Sequence, residues 1–563
     1  MLRRGVIAGI ALCALAMVAW AANEAADATG VALEGVVLDE AGKPVRGATV
    51  TAFDAAQKMS VSVYSREDGT FRLAGLDAKD YTLRARLLGK EDVSVPVSAS
   101  RSSDHKLVMK AAADLNPQRP ANNRLDLLEF EDEKDALNFR MMCVYCHQVG
   151  TEGFRTPEEP VDWEVMVTRM DGFRGLYEHT QQTLVDKLLD TYGLGAEEKW
   201  PAYTPPPAPK GDALEATVTE WQLGKENDAM IHDLEIGLDG KVYTVDMTAD
   251  AMEVLDPVTG KREIYSIPGG KAYDSTDAPI KGPHSVEVAP NGDMWLTLAL
   301  SGEMAKFDTK TKEYTVVSGA PAPRKRGGYP HTLRVDAKGE KVWWTDAASP
   351  GGAGVASIDT KTYEVKFYKL PDKDQVRGGG ASGESAGITP YGLSIAPNGK
   401  VWYTKLNGQR LGRVDPSKPD GDPLQVVEWA PPVHGPRRHE VAPDGLVWVP
   451  GWASGDIASF NEETEEWKVY KLPHGPNSMP YALSVHPTTG EIWINGTGSD
   501  SMFRFDPKTE TFTEYRMPTR VTYTREVEFD AEGDVWVCNS NYPVRHVENR
   551  HGSVIEIQLG GKS

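Results

Sequence analysis

Cysteine is scarce in this chain: four thiols in 563 residues, at positions 13, 143, 146 and 538. So few exclude a disulfide-stapled fold. Long apolar runs are scarcer still. The stretch from Val6 to Trp20 is too short and Ala-rich for a membrane span, and no later run is long enough to cross a bilayer. Positive charge is in deficit, with 61 Lys and Arg against 82 Asp and Glu and a formal net charge of −21. That balance argues against a nucleic-acid partner and for a soluble, self-repelling surface.

What the first residues do contain is a basic start (Leu2-Arg3-Arg4), a short apolar core and Ala19-Trp20-Ala21. These are the parts of a secretory signal peptide spanning 1–22, so the mature protein is expected to be exported, to the periplasm, with no membrane span. Cleavage would remove Cys13 and leave Cys143, Cys146 and Cys538. Two of these fall in Cys143-Val144-Tyr145-Cys146-His147, the C-x-x-C-H signature of c-type haem attachment. The spacing suits the chemistry: two thiols about one helical turn apart form thioethers, and His147 supplies an axial ligand to the iron. Cys538 reads as a buried structural thiol.

Three segments follow one another. Residues 31–110 alternate apolar and polar positions between Gly, Pro and Asp breaks, as in a small antiparallel sandwich. The pattern G-x-V-x-D-x-x-G-x-P-V-x-G-A-x-V from Gly35 to Val50, with Asp68-Gly69-Thr70-Phe71 and Tyr81, resembles the carboxypeptidase regulatory-like domain. That resemblance implies a transthyretin-like β-sandwich, grouped with carbohydrate-binding folds, with a structural or docking role. Helical spacing then takes over across 120–204, from Leu125, Leu128, Phe139 and Met142 to Trp163, Val167, Leu184 and Leu188. The run Trp163-Glu164-Val165-Met166-Val167-Thr168-Arg169-Met170 resembles a helix of small mono-haem cytochromes c. The resemblance implies a distal Met ligand, with Met170 first, Met166 second and His179 third.

From 213 to 560 the chain repeats itself. An aromatic after a Gly turn recurs at Tyr243, Trp295, Trp343, Trp402, Trp448, Trp493 and Trp536, at intervals of 43–59 residues. Each repeat reads as four strands, which is one propeller blade. The last repeat stops at its third strand, and residues 216–223 near the start can supply the fourth, closing the ring. The expected fold is therefore multidomain and mainly β: a sandwich, a small α-helical cytochrome c domain and a seven-bladed β-propeller.

Pro390-Tyr391-Gly392-Leu393-Ser394-Ile395 through Trp402-Tyr403-Thr404, followed by Asn407-Gly408-Gln409, is similar to the blade motif of the virginiamycin B (streptogramin) lyase family. That family opens cyclic depsipeptides by Mg-assisted elimination. It implies a general-base His in a Pro-His pair opening a blade, matched by Pro283-His284 and Pro330-His331, and a metal-binding acid just past the blade's aromatic. Asp346 and Asp246 stand at that second position. The family's further Glu, two residues before the base, is replaced by Gly282, Tyr329 and Met230.

Aligned on the hairpin Gly, the seven blades begin with His232, His284, His331, Tyr391, Arg437, Tyr481 and Arg525. These are expected at the mouth of the central channel, with His284, His331 and His232 as candidate catalytic residues. Tyr391, Arg437, Tyr481, Arg525, Asp246 and Asp346 are candidate substrate contacts. Linkers add His434, His474, Arg324, Lys325, Arg326, Arg377 and Arg438. A basic mouth points to an anionic small molecule, and neighbouring imidazoles suit a divalent metal. The leading reading is an exported haem protein in electron transfer, a periplasmic oxidoreductase or its electron-transfer component, serving a periplasmic redox partner. A lyase with an accessory cytochrome and a non-enzymatic binding or sensor scaffold are the alternatives.

Overall fold

The computed structural model describes residues 30–560, apart from 55, 57, 99–101, 121–124, 145–147, 149–161, 175–180, 226–228, 272–279, 321–327, 348–353, 372–388, 541–547 and 549–550. The chain divides into two compact units. One comprises 1–114, 205–220 and 558–563, and the other 115–204 and 221–557.

Alternation builds the first unit. Met59–Tyr64 buries every second side chain, and Leu33, Val50, Leu73, Leu83 and Leu107 meet in one apolar core. Thr70–Leu76, Val31–Asp39 and His105–Met109 form one sheet. Met59–Tyr64, Thr49–Asp54, Tyr81–Arg86 and Val93–Val97 lie side by side in that order.

The second unit holds both the helical segment and the repeats. Its helices are α1 (Glu133–Cys143), α2 (Trp163–Arg174) and α3 (Gln181–Tyr192). Trp163 and Val167 on α2 and Leu184, Leu188 and Tyr192 on α3 are buried where the two helices pack. The Tyr192 ring lies 6.1 Å from Trp163 and 6.2 Å from Trp200.

Among the described residues six of the repeats are separate four-stranded sheets, and their innermost strands neighbour one another in turn until the last, Thr524–Phe529, meets the first, Ile231–Ile236. In the seventh, Thr524–Phe529, Val535–Asn539 and Gly552–Gln558 take Thr217–Leu223 as the fourth strand, so the ring closes. Trp221 stacks on Trp536 at 5.4 Å across that closure. The marker aromatics are buried between blades, all at 3% exposure or less. The Asp at the end of most third strands is a turn device: Asp308 Oδ1 accepts the backbone N–H of Lys310 and Thr311, and Asp359 Oδ1 those of Lys361 and Thr362. Gly292 and Gly445 need their hydrogen side chain for φ near 89° and 88° in the inner hairpins.

Candidate functional site

Strict alternation would send residues three apart on a strand to opposite faces. The innermost strands break that rule. Pairing shifts by one residue between Pro283 and Val286, Pro330 and Leu333, Pro390 and Leu393, Pro480 and Leu483, and Thr524 and Val527. Each shift is a β-bulge, and it turns a blade's first residue and the residue three later toward the same axis.

The seven first residues meet there. The His232 ring lies 3.6 Å from His284, His284 4.1 Å from His331, and His331 4.1 Å from Tyr391. Tyr391 and Tyr481 share a hydrogen bond of 2.5 Å between their hydroxyls. Arg525 Nη1 donates to Tyr481 Oη and to His232 Nε2, both at 2.9 Å, which completes the circle. The Arg437 guanidinium lies 3.9 Å from the Trp452 ring and 4.4 Å from the Tyr481 ring. None of the seven is more than 3% exposed. The expected open mouth is, in the structure, a closed belt of packed rings, because large planar side chains from seven strands fill the axis.

Donor types fix the imidazoles. Arg525 can only donate, so His232 Nε2 accepts, and its Nδ1 carries the proton toward Asp233 Oδ1 at 3.2 Å. His331 Nδ1 faces the Tyr391 carbonyl at 3.1 Å and donates to it. Burial, and then the Arg525 charge, push the His232 pKa down to about 3. Burial and the neighbouring His232 and His331 hold His284 well below its ordinary value. His232 and His284 are therefore neutral at physiological pH.

Asp246 and Asp346 do other work. Asp246 Oδ1 accepts the backbone N–H of Met230 and Thr248 and the Thr248 hydroxyl. Asp346 accepts from Tyr329 N and Gly328 N. Both pin the linker entering their blade. With those carboxylates engaged on amides and His232 Nε2 facing a guanidinium, the residues present do not fit a divalent metal in this belt. Among the described residues the set of three side chains with donor atoms within 4.8 Å is Asp530, Asp534 and Glu556, elsewhere in the last blade.

Behind the belt, Arg438 Nη1 bonds Asp233 Oδ1 at 2.7 Å and also Glu526. Glu526 in turn meets Arg334 at 3.1 Å. Three residues along from the belt stand Glu235, Glu287, Glu440 and Glu528, grouped around Arg334. Burial, and then Glu287, push Glu235 up to about 8, while burial takes Glu287 to about 7. Burial raises Glu440 and Glu528 as well. This acidic ring was missed in the sequence, since the bulge that aims it inward leaves no mark on an apolar-polar pattern.

The thiol-bearing segment shares this unit. Cys143 ends α1 half-buried and in no disulfide, its thiol pushed by burial up to about 12. Val144 O accepts a hydrogen bond of 2.8 Å from Tyr523 Oη. The Tyr523 ring lies 5.9 Å from Tyr481 of the belt. Gln148 Nε2 donates to Thr497 O at 2.5 Å and to Thr522 O. Arg140 reaches Asn477 Oδ1 at 3.1 Å. Cys146, His147 and His179 lie outside the described residues, as do Arg324, Lys325, Arg326 and Arg377; Met170 is on α2 with its side chain outside them. His474 bonds Glu514 at 2.9 Å, and Cys538, fully buried, points its thiol at His232 O.

Residues 32–110 match the carboxypeptidase regulatory-like domain. No curated protein sequence matches the chain. Among solved structures, selenomethionine-substituted virginiamycin B lyase from Staphylococcus aureus is similar, at 17% identity and TM-score 0.49, covering 61% of this chain and 100% of that one. A streptogramin B lyase structure is 19% identical with TM-score 0.49, covering 62% of this chain and 100% of its own. A catalytically inactive Staphylococcus aureus virginiamycin B lyase with quinupristin is 18% identical with TM-score 0.48, covering 61% and 100%. Residues 271–559, half of the chain, match the virginiamycin B lyase family, and the chain belongs to that family.

Proposed function

We propose that this is an exported c-type haem protein in electron transfer, with the propeller as the module that binds its substrate or redox partner. The observation that supports it best is the Tyr523–Val144 hydrogen bond. It ties the residue beside Cys143 to a ring that packs on the channel belt.

Cys143 fits a thioether in being partly exposed and in no disulfide. Cys143 and Cys146 would hold the haem, with His147 and Met170 as axial ligands; bound there, it supplies one-electron storage and release. The chain's own residues then do three things. Tyr523, Gln148 and Arg140 fasten the thiol-bearing segment to the loops and linkers of the blades. The aromatic series Tyr523, Tyr481, Tyr391 supplies continuous packed matter between that segment and the channel. The belt excludes water, every member being nearly inaccessible.

Elimination of the lyase type is less well supported, because the acids that would serve a metal are bonded to backbone amides. The test is direct. The protein, purified from an exporting host, should show one covalent haem per chain by the pyridine haemochrome spectrum, lost in Cys143→Ala and Cys146→Ala. Reduction by a periplasmic extract should fall in His284→Ala and His331→Ala. A haem-free exported protein would sink the proposal.

A further inference from the structure

Gln148 is 1% exposed, and a buried primary amide is costly unless its N–H groups find acceptors. They find them in the blades. Nε2 donates to Thr497 O at 2.5 Å and to Thr522 O, with Asp500 Oδ1 at 3.2 Å. Thr497 follows the second strand of the sixth blade, Ile492–Gly496, and Thr522 lies in the linker 521–523 that enters the last. The amide therefore has one place to sit, and the backbone at 148 is pinned with it.

That linker is held firmly in its own right. Asp500 Oδ2 accepts Val521 N at 3.0 Å, while Oδ1 accepts Thr522 N at 2.8 Å and the Thr522 hydroxyl at 3.0 Å. Asn539 Oδ1 accepts Tyr523 N at 2.7 Å. Tyr523 Oη in turn donates to Val144 O at 2.8 Å. Two consecutive linker residues thus grip the chain on both sides of Tyr145-Cys146-His147, at Val144 and at Gln148. One peptide unit joins His147 to Gln148, which keeps their Cα atoms about 3.8 Å apart. Beyond Tyr523 the linker runs straight into Thr524 and Arg525 of the belt strand.

We propose that Gln148 is a positioning residue for the axial imidazole of His147, so that the propeller, and not the helical segment alone, fixes how firmly that imidazole holds the iron. The inference rests on the haem reading above. Groups that steady a ligating histidine commonly change metal hold by about 10–100-fold, because a ring free to swing spends less time aligned with the metal. Here that service falls to the Thr497 and Thr522 carbonyls, acting through one amide and one peptide unit. The linker that carries Arg525 into the channel is then also the one that steadies the iron's ligand.

The experiment compares the purified, haem-loaded full chain with Gln148→Met, which keeps the bulk of the side chain and removes its donors. Both thioether cysteines remain, so the pyridine haemochrome should still count one covalent haem per chain. The ferric spectrum should differ: the high-spin fraction should rise about tenfold, as expected for a loosened axial imidazole. Free imidazole, at a concentration that leaves the wild type unchanged, should restore the low-spin spectrum. A purely structural loss would not be rescued in this way. Should Gln148→Met fail to fold, Gln148→Glu is the second variant, since a carboxylate cannot donate to two carbonyls and faces Asp500. A folded, haem-loaded variant whose ferric spectrum superimposes on the wild type overturns the inference and leaves the haem reading standing. A wild type without covalent haem overturns both, and its haemochrome count tells the two failures apart.

Discussion

Two rings of side chains line the same channel three residues apart, and they handle charge by opposite means. The belt has three imidazoles, two phenols and two guanidiniums, and burial beside neighbouring charges pushes the His232 and His284 pKa values down and leaves both neutral. The ring beyond it has Glu235, Glu287, Glu440 and Glu528 around Arg334, and there burial raises the pKa of all four. The strands are the same and the bulges are the same. What differs is how far the counter-charges reach: Arg438 serves Asp233 and Glu526, whereas four glutamates share Arg334. Burial therefore gives no fixed protonation state; the donor set around each group decides it.

The harshest way to break this contrast is to remove the cation lying between the rings. Arg438→Met strands Asp233 and Glu526 in the interior, and losing one partner of a buried pair costs about 3–5 kcal/mol. Urea unfolding at pH 7 should show that loss. Adding Asp233→Asn and Glu526→Gln should recover most of it. A loss that the added substitutions do not relieve would mean that packing, not charge, makes Arg438 important.

The acidic ring should declare itself through pH. Glu235 and Glu287 hold protons in the folded state up to about 8 and about 7, against 4.5 when unfolded. Between those values the folded chain binds more protons than the unfolded one, so stability falls as pH rises. Their contribution is complete below about pH 4.5 and is lost progressively toward pH 7–8, with a slope of up to about 1.4 kcal/mol per pH unit for each group. The double variant Glu235→Gln, Glu287→Gln should flatten the curve of unfolding free energy across that window. His232 supplies the opposite sign: its pKa is about 3 in the folded chain against 6.5 unfolded, so between those values stability rises with pH, and His232→Asn should remove that rise while leaving the fall above pH 6.5 in place.

Asp346→Ala separates a pinned linker from a catalytic acid. The carboxylate accepts from Tyr329 N and Gly328 N, and orphaning such amides costs about 1–3 kcal/mol. Asp346→Asn keeps an acceptor and should recover roughly half of the loss in thermal unfolding. An effect confined to ligand binding, with stability intact, would return Asp346 to the site.

Much of this was legible in the sequence for a physical reason. Hairpin glycines, marker aromatics and turn aspartates each recur in many blades, so alignment by eye gives the repeat, the missing strand and the column His232 to Arg525. The acidic ring was not legible, because Glu287 and Glu528 read as ordinary solvent-facing positions until the bulges at Pro283–Val286 and Thr524–Val527 turn them inward. Nor was the closure of the mouth: residue types say polar, while ring separations of 3.6–4.1 Å between His232, His284, His331 and Tyr391 say packed. For Asp246 and Asp346 the sequence was ambiguous, since an acid at a ligand position and an acid at a turn position are the same letter.

The smallest expected effect bears on the link between belt and thiol segment. Tyr523→Phe removes one hydroxyl and leaves the ring contacts with Tyr481 and Trp452 in place. A single neutral hydrogen bond contributes about 1 kcal/mol, so global unfolding should move little. The change should be local instead. Val144 O loses its donor, and the end of α1 is freed to open without the blades unfolding. Hydrogen exchange read by peptide mass should speed up in the segment containing Cys143 and Val144 while the belt strands stay protected. Equal protection in wild type and variant would mean that Gln148 and Arg140 hold the segment unaided, and that Tyr523 serves the channel as a packed ring rather than as its fastening.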